Sequence, residues 1–323
     1  MKNCPICKNS RIAEVVDWDS FKIFKCNNCK LVYAQPLPTD EQLLQFYQGF
    51  LFKQPKLSGI EKEPKNRKKE LKYLFNLSAD DKTLMNKTFL DYGGGTGIVF
   101  KAVTDLGLAP FYYDIDQQAI EFTKNNFGMK SDQMILEIET CQRNFDFIFS
   151  YNVIEHIKNP LEFITKLYKK LEVGGTLILK TPNTSNTETY FNPFISVRDY
   201  VFRGIPSNGI IKSAKIWFTR SWHCDSPRHI YSFSKKSFDS LIEQMGISNE
   251  NYEIGYYSTP WFSNTPTKQF FSKDKHGNFL KSLVTRLITW PVVIVEFVLQ
   301  SLKWLFLKLN LVSPGGITLK INR

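Results

Sequence analysis

Four cysteines stand in the first thirty residues as two Cys-x-x-Cys pairs, Cys4/Cys7 and Cys26/Cys29. Each pair can close a tight knuckle that aims two sulfurs at one point, with Pro5 helping to fix the first turn. Two such pairs, eighteen residues apart, have the spacing of a four-thiolate zinc site. Four thiolates close a tetrahedral shell and leave no position for water, so the zinc implied is structural. A redox dithiol needs only one pair. Cys141 and Cys224 read as isolated thiols.

A second constellation is Phe89-Leu-Asp-Tyr-Gly-Gly-Gly-Thr-Gly-Ile98. Phe89 to Tyr92 reads as a buried strand. Gly93, Gly95 and Gly97 form a turn in which side chains would block a ligand, and Ile98 to Leu106 continues as an apolar-periodic helix. Strand, glycine turn and helix together cradle a phosphate or a carboxylate. The spacing is G-x-G-x-G, and Asp91 sits directly before the turn, where it would repel a pyrophosphate and attract a cation. S-adenosylmethionine (SAM), with an ammonium, a sulfonium and one carboxylate, satisfies both features. Asp114 ends the next strand, Pro110–Asp114, where an acid accepts hydrogen bonds from both ribose hydroxyls. A dinucleotide site would want the same acid, so Asp114 alone does not discriminate. Ser150, at the end of the strand Phe145–Ser150, joins Asp91, Gly93, Gly95, Gly97 and Asp114 as an expected cofactor residue. Displacement at a sulfonium methyl is mainly a matter of proximity and orientation. A hydroxyl or acidic carbon acceptor also needs a base, and His156 and His229 are the catalytic candidates, since imidazole titrates near neutrality.

The elements around these residues alternate. A helix over Gln117–Asn126, a weak strand near Met134–Ile138, the strand Phe145–Ser150, a helix over Leu161–Leu171 ended by Gly174-Gly175, and a strand over Thr176–Lys180 imply a parallel sheet with helices on both faces. Lys235–Met245 reads as a helix, Tyr252–Tyr257 as a strand and Gly315–Ile321 as a closing edge strand. Before the glycine turn, Ile12–Trp18 and Phe21–Lys25 are β-rich, and Leu31–Pro38 leads out of the cysteine module. Thr39 or Asp40 can cap a helix over Glu41–Tyr47, and Glu70–Leu77 is a helix entering the main domain. The expected division is a zinc module at 1–35, a helical and basic connector at 36–84, a main α/β domain at 85–265 with a cap insertion at 182–230, and a helical, basic segment with the closing strand at 266–323. The connector's stretch from Lys53 to Lys69 reads as mobile and partly helical toward its end. The cap carries Arg198, Arg203, Lys212, Lys215 and Arg220 among many aromatics.

The chain has 323 residues, 42% of them hydrophobic, enough for one large core with appendages. Its formal charge of +11 reads first as a solvated surface and second as a preference for anionic partners. Met1–Cys7 has no apolar stretch of a secretory signal, so a cytoplasmic location is the expectation. Phe279–Leu309 is an apolar helix interrupted by Lys281, Arg286, Glu296, Lys303 and Lys308, too charged to span a bilayer and kinked at Pro291. It suits either a peripheral contact with the inner face of a membrane or packing against the domain or a second subunit in a homodimer.

As a set, Asp91-Tyr-Gly-Gly-Gly-Thr-Gly97, Asp114, Phe145–Ser150, Val153-Ile-Glu-His156, Pro160, Leu171–Leu179 and Thr181-Pro-Asn183 resemble class I SAM-dependent methyltransferases, in the branch of the ubiquinone-pathway O-methyltransferases and enzymes of surface-glycan clusters. Pro227–Ser234 with the following helix resembles a further block of that family, and the cysteine pairs resemble zinc modules that precede some sugar C-methyltransferases and ribosomal RNA methyltransferases. The resemblance implies a Rossmann-like, seven-stranded, mostly parallel α/β sheet with one antiparallel strand, a zinc ribbon-like module before it and a helical appendage after it. It also implies methyl transfer to a small-molecule, lipid-linked or nucleotide-linked acceptor, plausibly a sugar or glycan intermediate. Family members that use a divalent metal carry Glu-x-x-Glu-His where this chain has Asn152-Val-Ile-Glu155-His156, so metal-assisted catalysis is not implied, and Glu155 is expected to hold loop amides instead. Two other functions compete. An RNA methyltransferase would use the zinc module and the basic connector, but Thr181-Pro-Asn183 lacks the signature of base N-methylation. A protein that binds SAM without catalysis would not need two candidate bases.

Overall fold

The computed structural model describes residues 3–17, 21–48, 63–78, 84–191, 209–211, 214, 224, 226–258 and 279–323. Most of the expected cap, with its five basic residues, and the connector between residues 49 and 62 lie outside the described residues.

The N-terminal segment folds around two equivalent knuckles. Lys8 N donates to Cys4 O at 3.1 Å and Lys30 N to Cys26 O at 3.0 Å. Lys8 and Lys30 are both left-handed, with φ of 58° and 63°. Three antiparallel strands follow the order of the chain: β1 (Ile12–Asp17), β2 (Lys22–Cys26) and β3 (Val32–Gln35). The last is a full strand where only a lead-out was expected. It is buried on both faces, since Tyr33 packs with the cysteines and Val32 with Val15 and Ile23. Helix α1 (Asp40–Tyr47) starts with a capping box: Gln42 N donates to Thr39 Oγ1 at 3.1 Å, and Thr39 N donates back to Gln42 Oε1 at 2.9 Å. Such a cap contributes about 1 kcal/mol. Helix α2 (Glu63–Leu74) begins at Glu63, well before the expected Glu70. Pro64 is tolerated in its first turn, and its opening half, Glu63–Lys69, offers no apolar periodicity by which to find it.

The rest of the described chain runs β4 (Thr88–Tyr92), α3 (Ile98–Thr104), β5 (Ala109–Tyr113), α4 (Gln117–Phe127), β6 (Phe145–Tyr151), α5 (Pro160–Lys169), β7 (Leu171–Pro182), a short β8 (Tyr231–Ser232), α6 (Lys235–Met245), β9 (Tyr252–Tyr257), α7 (Phe279–Lys308) and β10 (Gly316–Asn322), and all of its strands but β8 form the main sheet. Its order is β5-β4-β6-β7-β10-β9. The first four strands are parallel, and β10 runs antiparallel to both neighbours. Apolar side chains decide the packing. Helix α5 buries Phe163, Ile164 and Leu167 against the sheet, and shortening one such residue, as in Ile164→Ala, would cost about 2–5 kcal/mol.

Three local expectations change. The strand near Met134–Ile138 shrinks to one parallel bridge, Tyr112 with Met134, where Ile135 N donates to Tyr112 O at 2.8 Å. Leu136 in that stretch points outward, 76% exposed, so it gives a longer strand no buried face. Gly174 and Gly175 do not end α5; they lie inside β7, which starts at Leu171. The register against β6 jumps there, and a Cβ on Gly175 would sit 2.9 Å from Glu172 O and 3.0 Å from Asp146 O, so the glycines let β7 bulge. Finally, β10 is an interior strand between β7 and β9, with Ile317, Leu319 and Ile321 all fully buried; the edge is β9.

The cysteine module is joined to this domain by main-chain pairing. Val32 pairs with Ser232 and Tyr33 with Tyr231, so β8 completes the module's sheet. Ala34 N donates to Ile230 O at 2.9 Å, and Ser234 Oγ donates to Cys29 O at 2.6 Å.

Candidate active site

The four cysteines converge. Cys4 Sγ and Cys29 Sγ are 3.7 Å apart, Cys7 Sγ and Cys26 Sγ are 3.6 Å apart, and all four sulfurs lie within 4.8 Å of one another. A tetrahedron with zinc–sulfur bonds of about 2.3 Å has edges of about 3.8 Å. The four positions therefore fit a zinc ion, and Asn28 Nδ2 donates to Cys7 Sγ at 3.7 Å as an outer contact.

Asp91 lies at the C-terminal end of β4, 3% exposed. Its Oδ2 has no hydrogen-bond partner. Burial, with the Asp114 carboxylate close by, pushes its pKa up to about 7, while the Arg67 guanidinium acts in the opposite direction. The turn after it is held by Gly93 N and Gly94 N, which donate to Tyr113 O at 2.8 and 3.1 Å, and by Tyr112 Oη, which donates to Gly95 O at 2.6 Å. The glycines are required by the protein's own atoms, not only by a ligand. Gly93 (φ 73°) would place a Cβ 2.4 Å from Val153 Cγ2, and Gly97 (φ 70°) would place one 2.5 Å from Thr123 Cγ2. Asp114, just beyond β5, accepts from Gly95 N and Asp116 N, both at 2.8 Å. Burial raises its pKa, against the pull of those two amides. Ser150, at the end of β6, is 2% exposed, and its Oγ has no hydrogen-bond partner. Asp91, the glycine turn, Asp114 and Ser150 thus share one end of adjacent strands. Two buried polar atoms there, Asp91 Oδ2 and Ser150 Oγ, are left for a ligand to satisfy.

The histidines meet on the other side of the β6 end. The His156 and His229 rings stack with centroids 4.8 Å apart and planes 21° apart. His156 Nδ1 lies 2.7 Å from Arg228 O and 2.6 Å from Tyr47 Oη, and the Tyr47 hydroxyl donates to Arg228 O at 3.0 Å. A carbonyl can only accept, so Nδ1 carries the proton and Nε2 keeps its lone pair. Burial holds the His156 pKa below the ordinary 6.5. Glu155, 1% exposed, accepts from Thr181 Oγ1 at 2.9 Å, and its main-chain carbonyl accepts from Ile230 N at 2.9 Å. Its carboxylate therefore meets a hydroxyl and not the expected loop amides. Ligand atoms of Glu155, His156 and His229 all lie within 4.8 Å of one another, close enough to share a metal ion. Asn152, where the sequence shows no carboxylate, is exposed with φ 55°.

Sequence reasoning missed four participants. Tyr47 reaches His156 from α1. Lys180, only 5% exposed, is ion-paired with Glu70 of α2, and its Nζ lies 3.9 Å from the Tyr257 ring centroid. Arg67 is ion-paired with Glu70 and lies 4.9 Å over the Tyr151 ring. The one available signal was a lysine ending the otherwise apolar run Leu177-Ile-Leu-Lys180.

Comparisons with known proteins place the chain in a family. A family described as a methyltransferase domain matches residues 57–251. The chain is 25% identical over 182 residues to the ubiquinone biosynthesis O-methyltransferase of Pelagibacter ubique, covering 54% of this chain and 70% of that one. It is 27% identical over 131 residues to the enzyme of the same name from Coxiella burnetii, covering 38% of this chain and 55% of that one. The mitochondrial relative from Dictyostelium discoideum is matched over 41% of its length, so the chain spans about half the length of several curated relatives. Among solved structures, a SAM-dependent methyltransferase from Archaeoglobus fulgidus aligns at TM-score 0.44 and 13% identity over 80% of this chain and 94% of that one. The plantazolicin methyltransferase BpumL, solved with S-adenosylhomocysteine (SAH), aligns at TM-score 0.42 and 15% identity over 87% and 95%. With the acid-and-glycine turn at the strand ends and the family match over residues 57–251, this chain belongs to the methyltransferase-domain family and is a class I SAM-dependent methyltransferase.

Proposed function

We propose that SAM lies across the ends of β4, β5 and β6, with its cationic end toward Asp91 and its ribose on Asp114. Arg67, whose charge already bears on Asp91, faces the cofactor carboxylate. The observation that carries this reading is the buried Asp91 Oδ2, a carboxylate oxygen with no partner and a raised pKa, which a bound cation would satisfy. Ser150 Oγ supplies a further hydrogen bond. Bound SAM supplies an electrophilic methyl group. The chain's own residues hold the acceptor in line with it, and His156 Nε2 or His229 takes the acceptor's proton as the new bond to carbon forms and the carbon–sulfur bond breaks.

The acceptor in this reading is a small molecule with a hydroxyl or acidic carbon, plausibly a sugar or glycan intermediate carried on a lipid or a nucleotide. The relatives named for O-methylation support a hydroxyl. A lipid-linked acceptor would bring the enzyme to the inner face of the membrane as a peripheral protein; a homodimer through the C-terminal helix is the alternative use of that element. The basic run is a poor fit for gripping RNA phosphates. Two members of the basic run are engaged within the chain: Arg67 with Glu70, and Lys68 Nζ donating to Asp105 O at 2.5 Å. Zinc at Cys4, Cys7, Cys26 and Cys29 is a structural ion in this proposal. Elemental analysis should return one equivalent per chain, lost in Cys26→Ser; stoichiometric iron would contradict it. For the cofactor, radiolabelled SAM should crosslink to the protein under ultraviolet light and be displaced by SAH. Labelling that excess SAH leaves unchanged would contradict the assigned site.

A further inference from the structure

Helix α7 is largely inside out. Along its described C-terminal part, the residues turned toward the domain are Val293, 8% exposed, and three polar ones: Glu296 and Gln300 are each 1% exposed and Lys303 is 6% exposed. These three recur at i, i+4 and i+7, one face of a helix. Trp290, Ile294, Val298, Leu305 and Leu309, on the opposite face, are between 43% and 57% exposed. A helix that packs on a soluble domain has the reverse arrangement. Phe306 of α7 packs edge-on against Phe191 of the turn beside it, with ring centroids 5.5 Å apart, and the buried Glu188 lies in that same turn. The apolar side is left to face outward. Among the described residues no helix is long and apolar enough to cross a membrane.

We propose that this outward face of α7 docks on an anionic lipid surface. The proposal deepens the peripheral contact raised above but rests on the helix surface alone and needs no particular acceptor. Three features favour lipid over a second copy of the chain. First, the face offers almost no polar group to fix a protein partner's register: Ser301 lies on it, and its Oγ already donates to Phe297 O at 2.8 Å. Protein interfaces ordinarily add a polar rim and hydrogen bonds across the contact. Second, Trp290 and Trp304, 54% and 50% exposed, stand about 21 Å apart along one side of the helix at 1.5 Å per residue. Indoles favour the headgroup level of a bilayer. Third, the charges are complementary. The helix's only acid, Glu296, is buried, while Lys308 is exposed with its Nζ 3.9 Å from the Trp304 ring centroid, which sets a cation beside an indole. Basic residues beside an apolar helical face are what anionic headgroups attract. Helix α7 also packs on the turn after β7, at the sheet end that carries the site, so a docked helix would present that end to lipid.

Vesicle flotation of the full chain tests this, using phosphatidylcholine alone and phosphatidylcholine mixed with phosphatidylglycerol. Capture should rise at least tenfold with the anionic lipid, fall in high salt, and shift tryptophan emission to the blue. V298D/L305D, which alters only exposed positions, should lose at least tenfold in capture while keeping wild-type SAM affinity by calorimetry and wild-type circular dichroism. Those two controls separate failure of docking from failure of the fold or of the cofactor site. Three results would overturn the proposal: equal capture by neutral vesicles, capture unaffected by V298D/L305D, or a protein that never floats. If the protein that never floats runs as a stable dimer disrupted by V298D/L305D, the face is an interface between copies.

Discussion

Asp91 lies in β4 and Asp114 directly after β5, neighbouring parallel strands of a single βαβ unit, and the glycine turn between them is held mostly by nearby segments: Gly93 N to Tyr113 O and Gly95 N to Asp114 within the unit, Gly97 against Thr123 of the next helix, and Val153 after β6 packed on Gly93. His156 and His229 come from segments far apart in the chain. They meet because β3 of the cysteine module pairs with β8, Ile230 N bonds to Glu155 O, and Tyr47 of α1 closes on His156 and Arg228. If SAM and its acceptor bind as proposed, the cofactor side is built mainly from residues close in sequence and the acceptor side from residues far apart. The zinc module therefore braces the acceptor side: losing it should loosen the histidines while leaving the glycine turn in place.

The largest separation between the sides should come from the bases. With any acceptor the enzyme turns over, His229→Ala or His156→Ala should lower kcat by about 10²–10⁴-fold, the range of a lost general base, while SAM affinity stays within about twofold. If neither substitution lowers kcat, the histidines serve structure only. The next effect in size is on the metal. Chelation or Cys26→Ser should release the ion, weaken hydrogen-exchange protection of residues 228–234 by at least about tenfold, an opening free energy lower by about 1.4 kcal/mol, and spare residues 89–97. Equal loss of protection in both segments would show that the two sides form one cooperative unit.

A pH titration probes the cofactor side. In the free protein Asp91 is pushed up to about 7 from 3.8, so the native state keeps a proton that the unfolded state has released. Its contribution to stability is therefore full below about pH 4 and is lost as pH rises through about 7. A cation bound beside it favours the ionised form, so binding below pH 7 must expel that proton. SAM affinity should rise about tenfold from pH 6 to pH 8 and then level off, and Asp91→Asn should bind with little pH dependence. A flat wild-type profile would remove the cation from Asp91. The smallest expected change is Tyr47→Phe. It should lower kcat/KM about three- to tenfold and move the acid limb of the pH profile, which in the native enzyme lies below 6.5 because burial disfavours charged His156. Unchanged pH dependence would make Tyr47 a packing residue.

How far the sequence was readable follows the same division. Helix Lys235–Met245 and strand Tyr252–Tyr257 fall where the pattern places them, because Ser234 caps one end of the helix and Gly246 (φ 68°) the other. The glycine turn and the cysteine pairs carry their chemistry in short spacing. Tyr47, Arg67 and the Glu70–Lys180 pair left little trace, since their meaning lies in long-range contacts: Tyr47 with His156, Arg67 with Tyr151 and Glu70 with Lys180. Gly174-Gly175 misled because a glycine pair signals a helix end and a strand bulge equally well. The final strand reads as an edge in the sequence because its place between β7 and β9 depends on pairing at long range on both sides.

The account rests on a SAM site centred on the β4–β5 unit, and calorimetry with SAM alone tests it without an acceptor. Asp114→Ala should bind SAM at least about tenfold more weakly than the native chain, about 1.4 kcal/mol, while His229→Ala should bind it within about twofold. If Asp114→Ala retains native affinity, or if His229→Ala loses as much as Asp114→Ala does, the cofactor does not lie on the unit assigned to it.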